Sequence, residues 1–119
     1  MKGSPPPRLR DMPEAGAVLL VLCNAPDAAT AETLADHLLQ SRLAACVNIL
    51  APCSSHYRWQ GAIEKTTEVP LLIKTSAAAY PRLEAALREC HPYELPEIIA
   101  VPVDRGLPAY LQWVADETA

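Results

Sequence analysis

The 119-residue sequence contains no phenylalanine, and aromatic residues make up only 5% of it. Half of the residues are nevertheless hydrophobic, so a core must be built from Leu, Val, Ile and Ala. The longest apolar runs, such as residues 18–23, are far shorter than the ~20 residues that a membrane helix requires. None of them follows a basic N-terminus in the manner of a signal peptide. The length suits one domain, which we expect to be cytoplasmic and to have no membrane partner.

Positive charge and catalytic motifs are also scarce. The chain has 10 Lys and Arg against 14 Asp and Glu, a net charge of -4, which argues against nucleic acid as a partner. The sequence lacks G-x-S-x-G, G-x-G-x-x-G, H-E-x-x-H and the P-loop, so nothing supports an enzyme of those classes. The four cysteines form no C-x-x-C pair, and without a secretory signal we expect reduced thiols.

The first 16 residues differ in composition from the rest of the chain. They hold four of the twelve prolines and show no apolar period. A segment of this kind buries too little apolar surface to fold by itself. We therefore predict a disordered tail over residues 1–16 and a folded domain over residues 17–119.

The rest of the chain shows apolar patterns that predict the order β-α-β-β-α-β-α. Continuous or alternating apolar residues predict strands, and apolar residues three or four positions apart predict helices. The predicted strands cover residues 17–23, 45–50 with a continuation through Tyr57 and Trp59, 63–75 and 97–103. The first predicted helix begins after Asp27 and ends at Leu43, the second begins at a Ser76 cap and ends at His91, and the third begins at Pro108 and ends at Thr118. Pro70 removes one hydrogen-bond donor from the third strand and predicts a bulge or a change of pairing there.

This order predicts an α+β fold of the ferredoxin-like βαββαβ kind with an extra C-terminal helix. Right-handed crossovers place the first and third strands in the middle of an antiparallel sheet, with the helices on one face. The other face then lacks a helix although its strands carry many apolar residues. We therefore expect an oligomer, in which Tyr57 and Trp59 contact a neighbouring subunit.

Several motifs of the chain after residue 16 resemble the CutA family of divalent-cation tolerance proteins. The most specific is HPYELPEI at residues 91–98, and AACVN at 44–48 and YRWQG at 57–61 support it. The resemblance implies a homotrimer of ferredoxin-like subunits, packed sheet against sheet and related in architecture to the PII signalling proteins. It also implies a protein that binds copper or a related divalent cation such as zinc and takes part in the response to metal ions, without being an enzyme.

The resemblance further implies a set of metal ligands. Cys23 at the end of the first strand and His91 before Pro-Tyr match a cysteine and a histidine of the family pattern, whereas Cys90 stands where the pattern has another histidine. A Cys/Cys/His set favours Cu(I) or Zn(II) over harder ions. The alternatives are that the two cysteines are core residues while His91 only closes a helix, or that Cys23 and His91 form a nucleophile pair.

A second set of residues offers the chemistry of a ligand cleft between subunits. Lys74 supplies a cation, Glu94 and Glu97 supply carboxylates, and Tyr93 and Trp59 supply aromatic walls, so the set could hold a small polar or anionic ligand. This set gives the second hypothesis, a PII-like signalling or scaffold trimer that binds a small molecule. The alternative is that the aromatic residues are trimer contacts and that the charged ones pair locally.

Overall fold

The computed structural model describes residues 17–119, and the predicted tail at residues 1–16 lies outside this range. The described chain forms five strands and three helices in the predicted order, except that the second predicted strand is divided in two. The elements are β1 (Val18–Ala25), α1 (Ala28–Gln40), β2 (Cys46–Ile49), β3 (Cys53–Trp59), β4 (Ala62–Ser76), α2 (Tyr80–Cys90), β5 (Ile98–Pro102) and α3 (Pro108–Glu117).

The strands form one antiparallel sheet in the order β2-β4-β1-β5, and β3 pairs with β4 beyond the end of β2. The prediction that the first and third predicted strands are central is therefore confirmed. The 15-residue β4 pairs with β1, β2 and β3, so it connects the body of the sheet to the β3–β4 hairpin. This hairpin extends away from the sheet and forms one wall of the cavity described below.

Pairing changes at the position that Pro70 predicts, but β4 itself continues without a break. β1 pairs with β4 in one register from Ala25↔Val69 to Val18↔Ser76. On the other side of β4, Ile49 pairs with Leu71 whereas Cys53 pairs with Glu68. The three residues 50–52, which join β2 to β3, therefore lie opposite only two residues of β4, at positions 69–70.

Two of the predicted helix boundaries need correction, the end of α1 and the start of α2. α1 ends at Gln40 and not at Leu43, because Arg42 takes a left-handed backbone conformation with φ of 56° that turns the chain out of the helix. Ser76 does not cap α2 but ends β4, and its hydroxyl accepts a hydrogen bond from the Ala79 N–H in the turn between them. The end of α2 at Cys90 agrees with the prediction, since a residue before proline avoids the helical region.

The core lies between the sheet and the helices α1 and α2. Side chains alternate along a strand, so one row of β1 and β4 faces these helices. That row and the apolar stripes of the two helices form one buried cluster, which includes Val21, Cys23, Leu71, Ile73, Leu34, Leu38, Leu83 and Leu87. Cys90 lies outside this cluster and is exposed, which corrects the interpretation that it belongs to the buried stripe of α2.

The opposite face of the sheet carries one helix, contrary to the prediction that all helices share a face. Ser76 belongs to the row of β4 that points away from the core, and the Thr118 hydroxyl donates to its hydroxyl oxygen at 2.9 Å. Burial and the neighbouring Cys46, at the same end of the sheet, raise the pKa of Tyr110 of α3. α3 therefore covers only this end of the face, and the middle, including Ile99 and Val101, stays exposed. None of the three helices described is long and apolar enough to cross a membrane.

Candidate functional site

A cavity of about 700 Å³ lies at the end of the sheet where β1 ends. One wall is the strand β3, and the other is the segment of residues 92–97 that joins α2 to β5. Glu97 is the last residue of this segment and lies beside Asn24 of β1, because β5 begins by pairing Ile98 with Cys23. The cavity is therefore bounded by three parts of the chain that are distant in sequence.

The alternation of β3 decides which of its side chains face the cavity. Tyr57 and Trp59 belong to one row, and His56 and Arg58 belong to the other. Tyr57 and Tyr93 line opposite walls of the cavity, and they are close enough for Tyr57 to add to the raised pKa of Tyr93. The Ser54 hydroxyl and His56 Nε2 are 3.1 Å apart, so the opposite row has contacts of its own.

Glu68 lies on β4 at the inner edge of the cavity, and sequence reasoning did not single it out. Its side chain is unusual for a carboxylate, because the residue is only 8% exposed. Burial raises the pKa of Tyr93 to about 12, and the hydrogen bond from its hydroxyl to Glu68, with the charge of that carboxylate, adds to the effect. The available signal was a glutamate directly before the apolar block of residues 69–73, on a strand predicted to be buried.

His91 is held by two hydrogen bonds at the end of α2. Its Nδ1 accepts from the Tyr93 N–H at 3.1 Å, so the ring proton lies on Nε2 and donates to the Asn24 carbonyl oxygen at 2.7 Å. The ring also packs against Tyr93, with the ring centres 4.7 Å apart. Both ring nitrogens are thus engaged, and one of these bonds must open before His91 binds a metal ion.

Cys23 meets His91 at the same backbone oxygen. Its Sγ lies 3.9 Å from the Asn24 carbonyl, and the residue is 1% exposed. Burial raises the pKa of the Cys23 thiol to about 11, and the negative charges of Glu97 and, to a smaller degree, Glu68 also raise it. The thiol is therefore protonated at neutral pH, and it lacks the lowered pKa of a nucleophilic cysteine.

The structure brings together two of the three predicted metal ligands. Cys23 and His91 converge, whereas Cys90 is exposed at the end of α2. Within residues 17–119, no three His, Cys, Asp or Glu side chains are grouped as ligands of one metal ion. The ligand set of Cys23, Cys90 and His91 stays a prediction that needs a change of conformation.

The predicted cleft set is also only partly assembled. Tyr93, Glu94, Glu97 and Trp59 all line the cavity. Lys74 does not, because it lies six residues beyond Glu68 on β4, about 20 Å away at the rise of a strand. Its Nζ instead donates to the Asn48 side-chain oxygen of β2. Within one subunit, the cavity therefore lacks the cation that the sequence analysis assigned to it.

The antiparallel sheet with two helices on its core face and the βαββαβ order define a ferredoxin-like α+β domain, as predicted. Residues 19–117 match the family described as CutA1 divalent ion tolerance protein, and the chain belongs to this family.

Individual relatives cover most of the chain. The divalent-cation tolerance protein CutA of Thermus thermophilus is 42% identical over 99 residues, which are 83% of this chain and 96% of that protein. Protein CutA of Mus musculus is 40% identical over 114 residues, which are 96% of this chain and 64% of the mouse protein. The solved structure of CutA from Xylella fastidiosa has a TM-score of 0.84 and 48% identity, covering 87% of this chain and 99% of that one.

Proposed function

We propose that this chain acts in divalent-cation tolerance as a homotrimer that binds copper or a related divalent cation such as zinc. The observation that carries the proposal is the convergence of Cys23 and His91 on the Asn24 carbonyl in a member of the CutA1 family. Sulfur and imidazole nitrogen together suit Cu(I) and Zn(II). Cys90, next to His91 in the chain, is the proposed third ligand.

Metal binding at this place requires two changes of the apo protein. Cys23 must lose its proton, against a pKa raised to about 11. His91 must release either the Asn24 carbonyl or the Tyr93 N–H. Because a metal ion competes with protons for the thiolate, the affinity should rise with pH between neutrality and the pKa of Cys23.

The test is calorimetric titration of the fully reduced protein with Cu(I) and Zn(II) under anaerobic conditions. Cys23→Ser and His91→Ala should each abolish binding at one site per subunit. Cys53→Ser is the matched control, since Cys53 is a half-buried thiol on β3 that is not in the proposed set, and it should bind like wild type. Equal binding by wild type and Cys23→Ser would contradict the proposal.

The trimer is proposed from the exposed middle of the sheet face opposite α1 and α2. Ile99 and Val101 of β5 are 53% and 46% exposed, and they share this face with the half-buried Leu20, Leu22 and Leu72. A contiguous apolar surface of this kind is typical of an interface between subunits. A second subunit packed sheet against sheet would remove it from water.

Light scattering at micromolar concentration tests the assembly. Wild type should have three times the subunit mass, and Leu72→Asp should dissociate the trimer by placing a charge in the apolar surface. Leu39→Asp is the control, because Leu39 is 41% exposed on α1, on the other side of the sheet. A monomeric wild type would refute the trimer.

We further propose a binding protein rather than an enzyme, and a cytoplasmic one. The raised pKa of Cys23 argues against a thiolate nucleophile paired with His91. The four cysteines are all free thiols, as is usual where glutathione keeps proteins reduced.

A second candidate function is favoured by the cavity. Its volume of about 700 Å³ lies within the range of small-molecule sites, and Glu68 in its lining belongs to the row of β4 on the sheet face that the proposed trimer would cover. A PII-like signalling or scaffold trimer would bind a small molecule at this boundary. Cys23→Ser should abolish metal binding but not ligand binding there, and Glu68→Gln should have the reverse effect.

A further inference from the structure

Glu68 is a buried carboxylate without a cationic partner in the part of the chain that the structure describes. The residue is 8% exposed, and the ion pairs within residues 17–119 involve only Arg42 with Glu117 and Arg105 with Asp104. A carboxylate accepts up to about four hydrogen bonds, whereas Tyr93 supplies a single hydroxyl. Because a buried charge is costly unless it is paired, this position lacks a positive group.

The walls of the cavity next to Glu68 are aromatic. Tyr57 and Trp59 project from one row of β3, and Tyr93 projects from the opposite wall. The faces of such rings carry negative partial charge and attract ammonium groups within about 6 Å. Tyr93 meets Glu68, and Tyr57 lies near Tyr93, so these two rings add a second attraction to that of the carboxylate. Trp59 pairs with Ala62, six residues along β4 from Glu68, so it lines a more distant part of the cavity.

The charges that line the cavity have the same preference. Glu94 and Glu97 add two carboxylates to its lining. Arg58 also touches the cavity, but it is exposed and belongs to the row of β3 that points the other way. Lys74, the cation expected for an anionic ligand, lies outside the cavity and donates to Asn48. Within one subunit, the cavity therefore lacks the lysine that an anionic ligand would need.

A bare metal ion fits the cavity less well than an organic cation. No three of its carboxyl, imidazole or thiol groups are grouped as ligands, as is true throughout residues 17–119. The volume of about 700 Å³ also far exceeds the space of one ion. An ammonium group on a carbon chain would use the carboxylate, the aromatic walls and the volume together.

We propose that the cavity binds a small organic cation, with its ammonium group at Glu68 and its carbon chain along Tyr93 and Tyr57. This inference rests on the second candidate function, namely that the cavity takes a small molecule, and it names the chemical class of that molecule.

The test is calorimetric titration of the reduced, full-length oligomer with 1,4-diaminobutane. The matched probes are 1,4-butanediol, which has the same chain without charge, and succinate, which has the same chain with negative charge. The diamine should bind, and the other two should not. A metal chelator in every solution excludes an effect of contaminating ions.

Variants locate the binding. Glu68→Gln should weaken diamine binding about 10- to 100-fold, the effect of one hydrogen bond to a charged group. Glu32→Gln removes the same charge from the exposed surface of α1 and should leave the affinity unchanged. Tyr57→Leu should weaken binding about 2- to 5-fold through the lost cation–π attraction. If Glu68→Gln does not assemble, Tyr57→Leu with Glu97→Gln decides by the same titration.

The remaining outcomes distinguish failure of the inference about the cation from failure of the second candidate function. Binding of succinate but not of the diamine would overturn the inference and leave the second candidate function standing. Absence of binding by all three probes would overturn both the inference and the second candidate function. A side chain of the neighbouring subunit that fills the cavity would give this result. Equal weakening of diamine binding by Glu68→Gln and Glu32→Gln would show attraction to net charge alone and would also overturn the inference.

Discussion

High pH should destabilise this protein through one buried thiol. Cys23 is 1% exposed, and burial, with the charge of Glu97 beside it, raises the pKa of the thiol from 9.0 to about 11. A group with a raised folded-state pKa contributes its full stability below the unfolded-state pKa, and the contribution is lost as pH rises through the folded-state pKa. The complete loss is about 2.7 kcal/mol, of which about 1.4 kcal/mol is lost by about pH 10.

The assay is urea denaturation of the reduced protein near neutral pH and near pH 10, at one fixed protein concentration because an oligomer dissociates on unfolding. Cys23→Ala removes the titrating thiol, so the difference in unfolding free energy between wild type and this variant should shrink by about 1.4 kcal/mol at the higher pH. Val21→Ala is the control, since Val21 is fully buried in the same row of β1 and its loss should cost the same at both pH values. A difference between wild type and Cys23→Ala that does not change with pH would refute the reasoning.

Three further predictions concern the fold. Ile73→Ala, at a fully buried position of β4, should cost about 2–5 kcal/mol in urea denaturation, whereas Ile63→Ala on the same strand, 72% exposed, should cost little; equal costs would contradict the assigned core. Thr75→Val should cost about 1–3 kcal/mol because the buried hydroxyl donates to a backbone carbonyl of the α1–β2 loop at 2.7 Å, and Thr75→Ser should retain most of that bond. Asp27→Ala should lower the thermal midpoint measured by circular dichroism at neutral pH, since the Asp27 carboxylate accepts the Thr30 N–H at the start of α1. That bond lowers the pKa of Asp27, so its contribution is present above the unfolded-state pKa and should vanish as pH falls through the lowered folded-state pKa; a constant difference from wild type would count against the cap.

The strands and helices were predictable because their signals are local. Residues 18–23 form a run that suits a buried strand, and Leu83, Ala86 and Leu87 of α2 recur at helical spacing. The predictions were wrong about where α1 ends and about which face of the sheet α3 covers. Arg42 ends α1 through a left-handed conformation that few non-glycine residues adopt, and no spacing rule signals it. α3 lies on the face opposite the other helices because Thr118 bonds to Ser76, 42 residues earlier.

Part of the candidate site is visible in the sequence as a motif. The HPYELPEI segment contains Tyr93, Glu94 and Glu97, and the structure places all three at one cavity. Glu68 was not predicted as a site residue because a single glutamate in a strand is usually a solvated side chain. Lys74 lies outside the cavity of its own subunit, which its distance along β4 decides and its chemistry does not reveal.

The amino-acid sequence by itself determined the type and order of the elements, the central position of β1 and β4, and the family. Each of these depends on periodicity or on motifs within short segments. The tertiary structure alone decided which ionisable groups meet. His91 reaches the Asn24 carbonyl across 67 residues, and Glu68 meets Tyr93, because strand register fixes such distances and the alternation of side chains fixes the face. These two contacts bring Asn24, Glu68, His91 and Tyr93 together at one end of the sheet.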